Sequence, residues 1–393
     1  MAMCSGKDPG GVQECRRSAG DAVKVLLLSR YGPLGASSRY RSYQYLPYLR
    51  SHGLDITVQP LLGDDYLRRL YAGERADLRD LSASYARRIR MLSARKGFDL
   101  LWIEYEALPW LPSPVESFFL HSPVPYVVDY DDAIFHRYDL HRFRVVRSAL
   151  GTKIDRIMKN ARTVIAGNAY LADRAVLAGA AAVEILPSVI DADRYVPPPQ
   201  RGSHPFTVIW IGSPSTERYL GLIREALQRV AADGPLRIVV VGGRRPDLSP
   251  LSYEVYSFTE ENDVHEMWNA DVGIMPLEDT PWERGKCGHK LIKYMACGLP
   301  VVATPVGVNT EIVSHEVHGF LARTTDEWVA SLERLRQDPP LRERLGKEGR
   351  RRVEEKYCTK VTAPRLLRIL EEKAGDLTGQ QTHHAAAFSP SRQ

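Results

Sequence analysis

Residues 271–309 read DVGIMPLEDTPWERGKCGHKLIKYMACGLPVVATPVGVN. The apolar run at 272–275 predicts a buried strand. A polar loop carrying Lys286 and Lys290 follows, then a helical segment to Ala296 and Gly298. The run 300–303 predicts a second strand, closed by a glycine turn at 304–307. This order of elements puts two cations and a helix start beside the carboxyl ends of parallel strands. Such a place suits a phosphate or diphosphate.

The two lysines are four residues apart. A helix beginning near Gly288 carries Lys290 on its first turn, with Lys286 just before it. Cations there oppose the helix dipole unless an anion neutralises them. The competing reading is a pair of solvated surface lysines.

The same alternation of strands and helices extends upstream. Apolar runs at 206–211 and 236–241, a short one at 255–258, and helical stretches at 216–232 and 263–269 predict one parallel sheet. Before it, runs at 23–29, 56–62, 100–103, 126–129, 163–166 and 184–186 predict another. Residues 39–52, 68–96 and 141–160 read as helical, the last two basic. Prolines 197, 198 and 199 open a polar connector to residue 205, the predicted domain boundary. Two successive arrays imply two parallel-sheet domains with a cleft between them. Helices are predicted at 325–337, 340–356 and 364–374. Residues 1–21 and 376–393 lack periodicity and are expected to be flexible.

At 393 residues the chain is long enough for two cores. A net charge of +5, without zinc-finger spacing or a dense basic block, makes nucleic acid an unexpected partner. The five cysteines are scattered and odd in number, which predicts reduced thiols and no metal site. No signal-peptide core or membrane-length apolar run is present, so a cytoplasmic protein is expected, with contact to the inner membrane surface left open. The stretch RYRSYQYLPYLR at 39–50 mixes tyrosine and arginine as interfacial helices do, or packs Tyr43 and Leu46 inside.

Several strand ends carry candidate site residues. Gly212, Ser213, Ser215 and Thr216 offer hydroxyls and N–H groups for phosphate, unless Ser215 or Thr216 only caps a helix. Gly242 and Gly243 give backbone clearance near a ligand or make an ordinary turn. Gly35, in GPLGASS at 32–38, belongs to a loop read as a flexible lip over the cleft, because its spacing is not a dinucleotide fingerprint. Arg39 and Arg41 beside it meet an anionic substrate or lie on the surface. In VVDYDDAIF, Asp129, Asp131 and Asp132 crowd a strand end. Asp131 or Asp132 can orient an acceptor hydroxyl, cap a helix, or offer oxygen to a divalent cation. His136, Glu104 and Glu106 are weaker cleft candidates. Asn168 is expected to cap the following helix, and Trp210, Trp268 and Met275 to lie in the core.

With AGNAYLADRA, ILPSVIDADRY, KLIKYMACGLPVVATPVGVNTEIV and HGFL, these residues resemble the retaining two-domain glycosyltransferases numbered family 4, over roughly residues 23–371. The resemblance implies an α/β fold of two facing Rossmann-like domains, the GT-B architecture, with a C-terminal helix crossing back to the first. It implies an acceptor domain at 22–198, joined by 357–374, and a nucleotide-sugar domain at 204–356. The implied activity moves a sugar from a nucleoside-diphosphate sugar to an alcohol on a glycan, a lipid-linked carrier or a small molecule. Retention is implied, and no metal or other cofactor. Gly307 and Val308 fall in the matching donor loop. The family's two glutamates fall on Gly285 and Lys293, which leaves Glu283 to stand in for the first. Arg218 is the one cation where an arginine and a lysine are common, so Lys286 and Lys290 inherit charge neutralisation. A histidine common in the first domain falls at Tyr130-Asp131-Asp132. Asp131, Asp132, Glu283 and Lys290 are thus the expected catalytic residues. A silent sugar-nucleotide-binding protein and a nucleotide-sugar hydrolase or epimerase are the alternatives. An oxidoreductase lacks its fingerprint.

Overall fold

The computed structural model describes residues 22–75, 77–198 and 205–384. The predicted N-terminal segment and most of the proline-rich connector therefore lie outside the described residues.

The first sheet contains β1 (Val23–Leu28), β2 (Leu54–Val58), β3 (Leu100–Glu104), β4 (Tyr126–Tyr130), β5 (Thr163–Ala166) and β6 (Val183–Ile185). Its order is β2-β1-β3-β4-β5-β6 and every pairing is parallel. The second sheet contains β7 (Phe206–Ile211), β8 (Leu236–Val241), β9 (Glu254–Tyr256), β10 (Val272–Met275), β11 (Val301–Ala303) and β12 (Gly319–Leu321). Its order is β12-β11-β10-β7-β8-β9, again all parallel. Residues such as Leu27, Trp102, Val127, Val208, Val239 and Ile274 are fully or almost fully buried. Strands covered on both faces read as continuous apolar runs, and this is why the runs were legible.

In each sheet the chain reverses direction once, between β1 and β3 and between β7 and β10. The loops leaving those strands diverge and open a crevice at the carboxyl ends. One apolar cluster joins the domains, from Val25 and Tyr45 through Ile209 and Leu291 to Leu366 and Leu370. The last helix, Thr359–His384, returns to the first sheet. There the hydroxyls of Tyr45 and Thr362 lie 2.9 Å apart, and Arg365 donates to the Ile185 carbonyl at 2.9 Å.

Some expectations shift. The strand predicted at 56–62 ends at Val58, because Pro60 has no N–H for the ladder. The helix predicted at 216–232 begins as a 3-10 stretch, Glu217–Ile223, that contains Gly221. The terminal helix starts earlier than 364 and continues to His384, past the point where periodicity fades. Extending a packed helix costs far less than nucleating one. The interfacial reading of 39–50 gives way to its alternative: Tyr45, Leu46, Leu49 and Arg41 are buried. Trp210 and Met275 are core as expected, but Trp268 is only half-buried and donates its indole N–H to Val196.

Candidate active site

The second sheet supplies three loops to the crevice. Gly212 ends β7, and a Cβ there would lie 2.1 Å from the Trp210 ring. Gly242, at φ +79°, brings its Cα within a would-be Cβ contact of 2.3 Å to the Gly212 carbonyl. Only glycine lets these two loops touch. Thr216 does not bond the helix that follows. Its hydroxyl turns back to the Ser213 carbonyl at 3.1 Å, and the Ser213 and Ser215 hydroxyls lie 2.9 Å apart. Gly243 packs against Val240 and the Glu217 carboxylate, which accepts the Arg245 N–H at 3.2 Å.

The third loop carries the lysines. The helix His289–Ala296 starts where the sequence places it, with Gly288 as its cap at φ +65° and Lys290 on its first turn. Lys290 Nζ lies 5.5 Å from the centre of the Trp210 ring, beneath the β7 loop. Among the described residues it meets no carboxylate within ion-pair distance. Burial, then the nearby Lys286, lower its pKa to about 7. Lys286 differs. Burial opposes its charge, but Asp132 with Tyr219 and Glu283 outweighs that and raises its pKa. Its ammonium lies 3.5 Å from Asp132 Oδ1, across the crevice. Gly307, at φ +51°, packs on the Arg284 backbone, and Val308 packs beside Gly288.

The first domain places its candidates less uniformly. Asp129 is held by Arg41, at 2.7 Å from Nε and 3.1 Å from Nη2, and Arg41 also donates to the Leu186 carbonyl. Both are buried, so Arg41 is a fold residue, neither at the surface nor facing a substrate. Arg39 lies over the Tyr40 ring and reaches Phe258 of the second domain. Asp131 accepts the Tyr105 hydroxyl, and burial, then Asp132, push its pKa up to about 7. Glu104 accepts from Ser38 Oγ at 2.6 Å and is likewise pushed up to about 7 by burial. Glu106 shares Lys153 with Glu116, at 2.7 and 2.8 Å, in a closed buried cluster. His136 is tied between Asp139 and Tyr170, both at 2.8 Å. The loop around Gly35 is no loose lip. It is a bonded turn, with Gly35 N–H to Gly32 and Leu34 N–H to Asp64.

The positions of the two family glutamates have physical explanations. A Cβ on Gly285 would sit 2.4 Å from Ala133 Cβ, so the first domain fills that space. Glu283 is buried and accepts from Tyr219, Thr280 and, at 3.4 Å, Arg218. Lys293 is buried against Asp263 and ringed by Tyr40, Tyr195 and Phe258, each centroid within 5.2 Å. Asp263, Tyr195 and Tyr40 were not singled out from the sequence, and no local pattern marks them.

Asn168 caps its helix as expected, through Leu171 N–H at 3.0 Å. Its amide also donates to the Gly285 and Lys286 carbonyls, both at 3.0 Å. The first domain thereby holds the lysine loop of the second. Among the described residues, no three His, Cys, Asp or Glu side chains group to hold a metal ion. No helix among them is long and apolar enough to cross a membrane.

Residues 205–338 match the family described as Glycosyl transferases group 1. Over 88 residues the chain is 32% identical to sucrose synthase 1 of Tulipa gesneriana, covering 21% of this chain and 11% of that protein. Over 86 residues it is 31% identical to a probable sucrose-phosphate synthase of Thermosipho melanesiensis, covering 22% and 20%. The chain thus spans a fifth or less of these relatives' lengths. Among solved structures, sucrose-phosphate synthase from Thermosynechococcus elongatus superposes with a TM-score of 0.67 at 16% identity, covering 89% of this chain and 98% of that one. A glycosyltransferase from Rickettsia africae gives 0.66 at 11%, covering 90% and 99%. HepE of Anabaena, solved with UDP-glucose, gives 0.61 at 17%, covering 89% and 99%. The fold class is that of the GT-B glycosyltransferases, two facing Rossmann-like domains around a cleft. Within that class, the second domain of this chain is related to the group 1 glycosyl transferases.

Proposed function

We propose that this protein transfers a sugar from a nucleoside-diphosphate sugar to an alcohol acceptor, with retention. One observation carries the reading. Lys290 is a half-buried amine with its pKa lowered to about 7 and no carboxylate partner among the described residues, at the crevice where the β7 and β10 loops diverge. An uncompensated buried cation is costly unless a ligand supplies the anion.

A diphosphate between Lys290, Lys286 and the loop at 212–216 would receive two ammonium groups and the Ser213 and Ser215 hydroxyls. As the bond from the anomeric carbon to the diphosphate oxygen breaks, negative charge grows on that oxygen. Fixed cations stabilise the growth more than the ground state. The acceptor oxygen bonds to the anomeric carbon and its proton passes to the departing diphosphate. Asp131 and Asp132, at the facing strand end, would orient the acceptor hydroxyl. UDP-glucose, bound in the HepE structure, is the first donor to test.

A silent sugar-nucleotide-binding protein is the second reading, favoured by Ala133 filling the Gly285 position. The test is consumption of UDP-sugars with and without a panel of hydroxyl acceptors. Acceptor-dependent release of UDP supports transfer. Tight UDP binding with no turnover selects the silent reading, and release of free sugar without acceptor selects hydrolysis.

A further inference from the structure

We propose that the surface formed by the loop after β3 and the start of the helix Arg144–Leu150 docks this protein on an anionic lipid membrane. Trp110, Leu140, Phe143 and Val145 are 46%, 60%, 56% and 78% exposed. They are not scattered. The Trp110 ring meets His141 edge-on at 6.0 Å, and His141 lies 5.5 Å from Phe143. Trp110 is held outward: its φ is +63°, its N–H donates to the Tyr138 hydroxyl at 3.0 Å, and its ring rests on Tyr138 at 5.2 Å. A fixed, exposed indole beside an exposed phenyl ring is unusual for a surface that meets only water.

Charge settles the occupant. Residues 140–150, LHRFRVVRSAL, contain three arginines and no acid. Arg142 lies over the Phe143 ring at 4.5 Å, and Arg147 donates only to the His141 and Arg142 carbonyls, at 2.6 and 3.1 Å. Neither they nor Arg144 meet a carboxylate among the described residues. The adjacent Asp139 is engaged by His136 at 2.8 Å and Arg174 at 3.2 Å. Aromatic rings flanked by unneutralised guanidinium groups fit the headgroup layer, where rings lie among the acyl ends and guanidinium groups meet lipid phosphates. Val176 and Leu177 are also exposed, at 64% and 84%, but the nearby Arg174 is tied to Asp155 and Asp139. That second patch has no charge to offer.

The docking surface belongs to the segments after β3 and β4, and Asp131 and Asp132 stand at the end of β4. A membrane there would bring a lipid-linked hydroxyl to the acceptor side of the cleft. This consequence rests on the proposed transfer, whereas docking does not.

The full chain is to be sedimented with vesicles of phosphatidylcholine alone and with about a third phosphatidylglycerol. Binding to the anionic vesicles only, weakening with salt, is expected. Arg142→Glu with Arg144→Glu should weaken it on the order of 30-fold or more. Phe143→Ser with Val145→Ser should also lower it, and Val176→Ser with Leu177→Ser should leave it unchanged. UDP binding, measured on each protein, reports that the fold is intact. Wild-type protein left in the supernatant overturns the proposal, as does wild-type vesicle binding by both docking variants. A concentration-dependent dimer lost in the Phe143 and Val145 variant, without vesicle binding, overturns it in favour of a second copy. Absence of sugar transfer alongside anionic-vesicle binding would sink the transferase reading and leave the docking standing.

Discussion

The strand ends of the first sheet and those of the second use charge in opposite ways. In the first, Asp129 has Arg41, Glu106 and Glu116 share Lys153, and Glu104 has the Ser38 hydroxyl and the Arg30 N–H. Each of these groups is answered from within the first domain. In the second, among the described residues, Lys290 has no carboxylate within ion-pair distance and Lys286 has Asp132, borrowed across the cleft at 3.5 Å. Paired buried charges are satisfied within the fold, whereas an unanswered one is a candidate ligand site.

The sharpest way to break this contrast is to remove one cation from each side. Lys153→Met removes the cation that Glu106 and Glu116 share, leaving Arg30 at 3.7 Å from Glu106, and should cost about 3–5 kcal/mol of stability by urea denaturation. Lys290→Ala should leave stability within about 1 kcal/mol but weaken UDP binding by roughly 30–100-fold in calorimetry. Equal stability losses in the two variants would erase the distinction. Unchanged UDP affinity in the second would remove Lys290 from the site.

The seam offers a smaller effect. Gly285→Ala must push Ala133 aside and should cost about 1–3 kcal/mol. Combining it with Ala133→Gly should recover part of that loss. An additive loss in the double variant would mean that the two loops do not press on each other.

A pH series sharpens the comparison further. Lys290 has its pKa lowered to about 7, and an anion favours its charged form. Below pH 7 the ammonium is already charged, so UDP-glucose affinity should be flat. Above it, binding must take up a proton, so affinity should fall by up to about tenfold per pH unit until the raised pKa of the complex is reached. Asp131 titrates in the same range, so Lys290→Ala is the control: the slope should vanish in it. The smallest effect belongs to Asp132→Asn. It frees Lys286 from its ion-pair partner and should tighten UDP binding a few-fold, by less than about 1 kcal/mol.

The sequence made some of this plain. The runs at 163–166, 206–211, 236–241 and 272–275 coincide with β5, β7, β8 and β10, since strands buried on both faces need unbroken apolar residues. The three-residue strand β12 was visible only as HGFL within the family resemblance, because it is too short to carry a period. The position of Lys290 on the first turn of an apolar helix was legible. Arg41 was not, for an arginine in a tyrosine-rich helix reads as a surface residue until Asp129 is brought beside it.

Chain order and apolar runs determined the two parallel sheets, their crevices and the lysine pair at the helix start, because local periodicity and turn chemistry are written residue by residue. Only the tertiary structure decided which charges are answered. Asp263 against Lys293, Lys153 between two glutamates, and Ala133 in the space beside Gly285 are all meetings between distant segments. The energy of a buried charge depends on what surrounds it, and those surroundings exist only after the chain has folded.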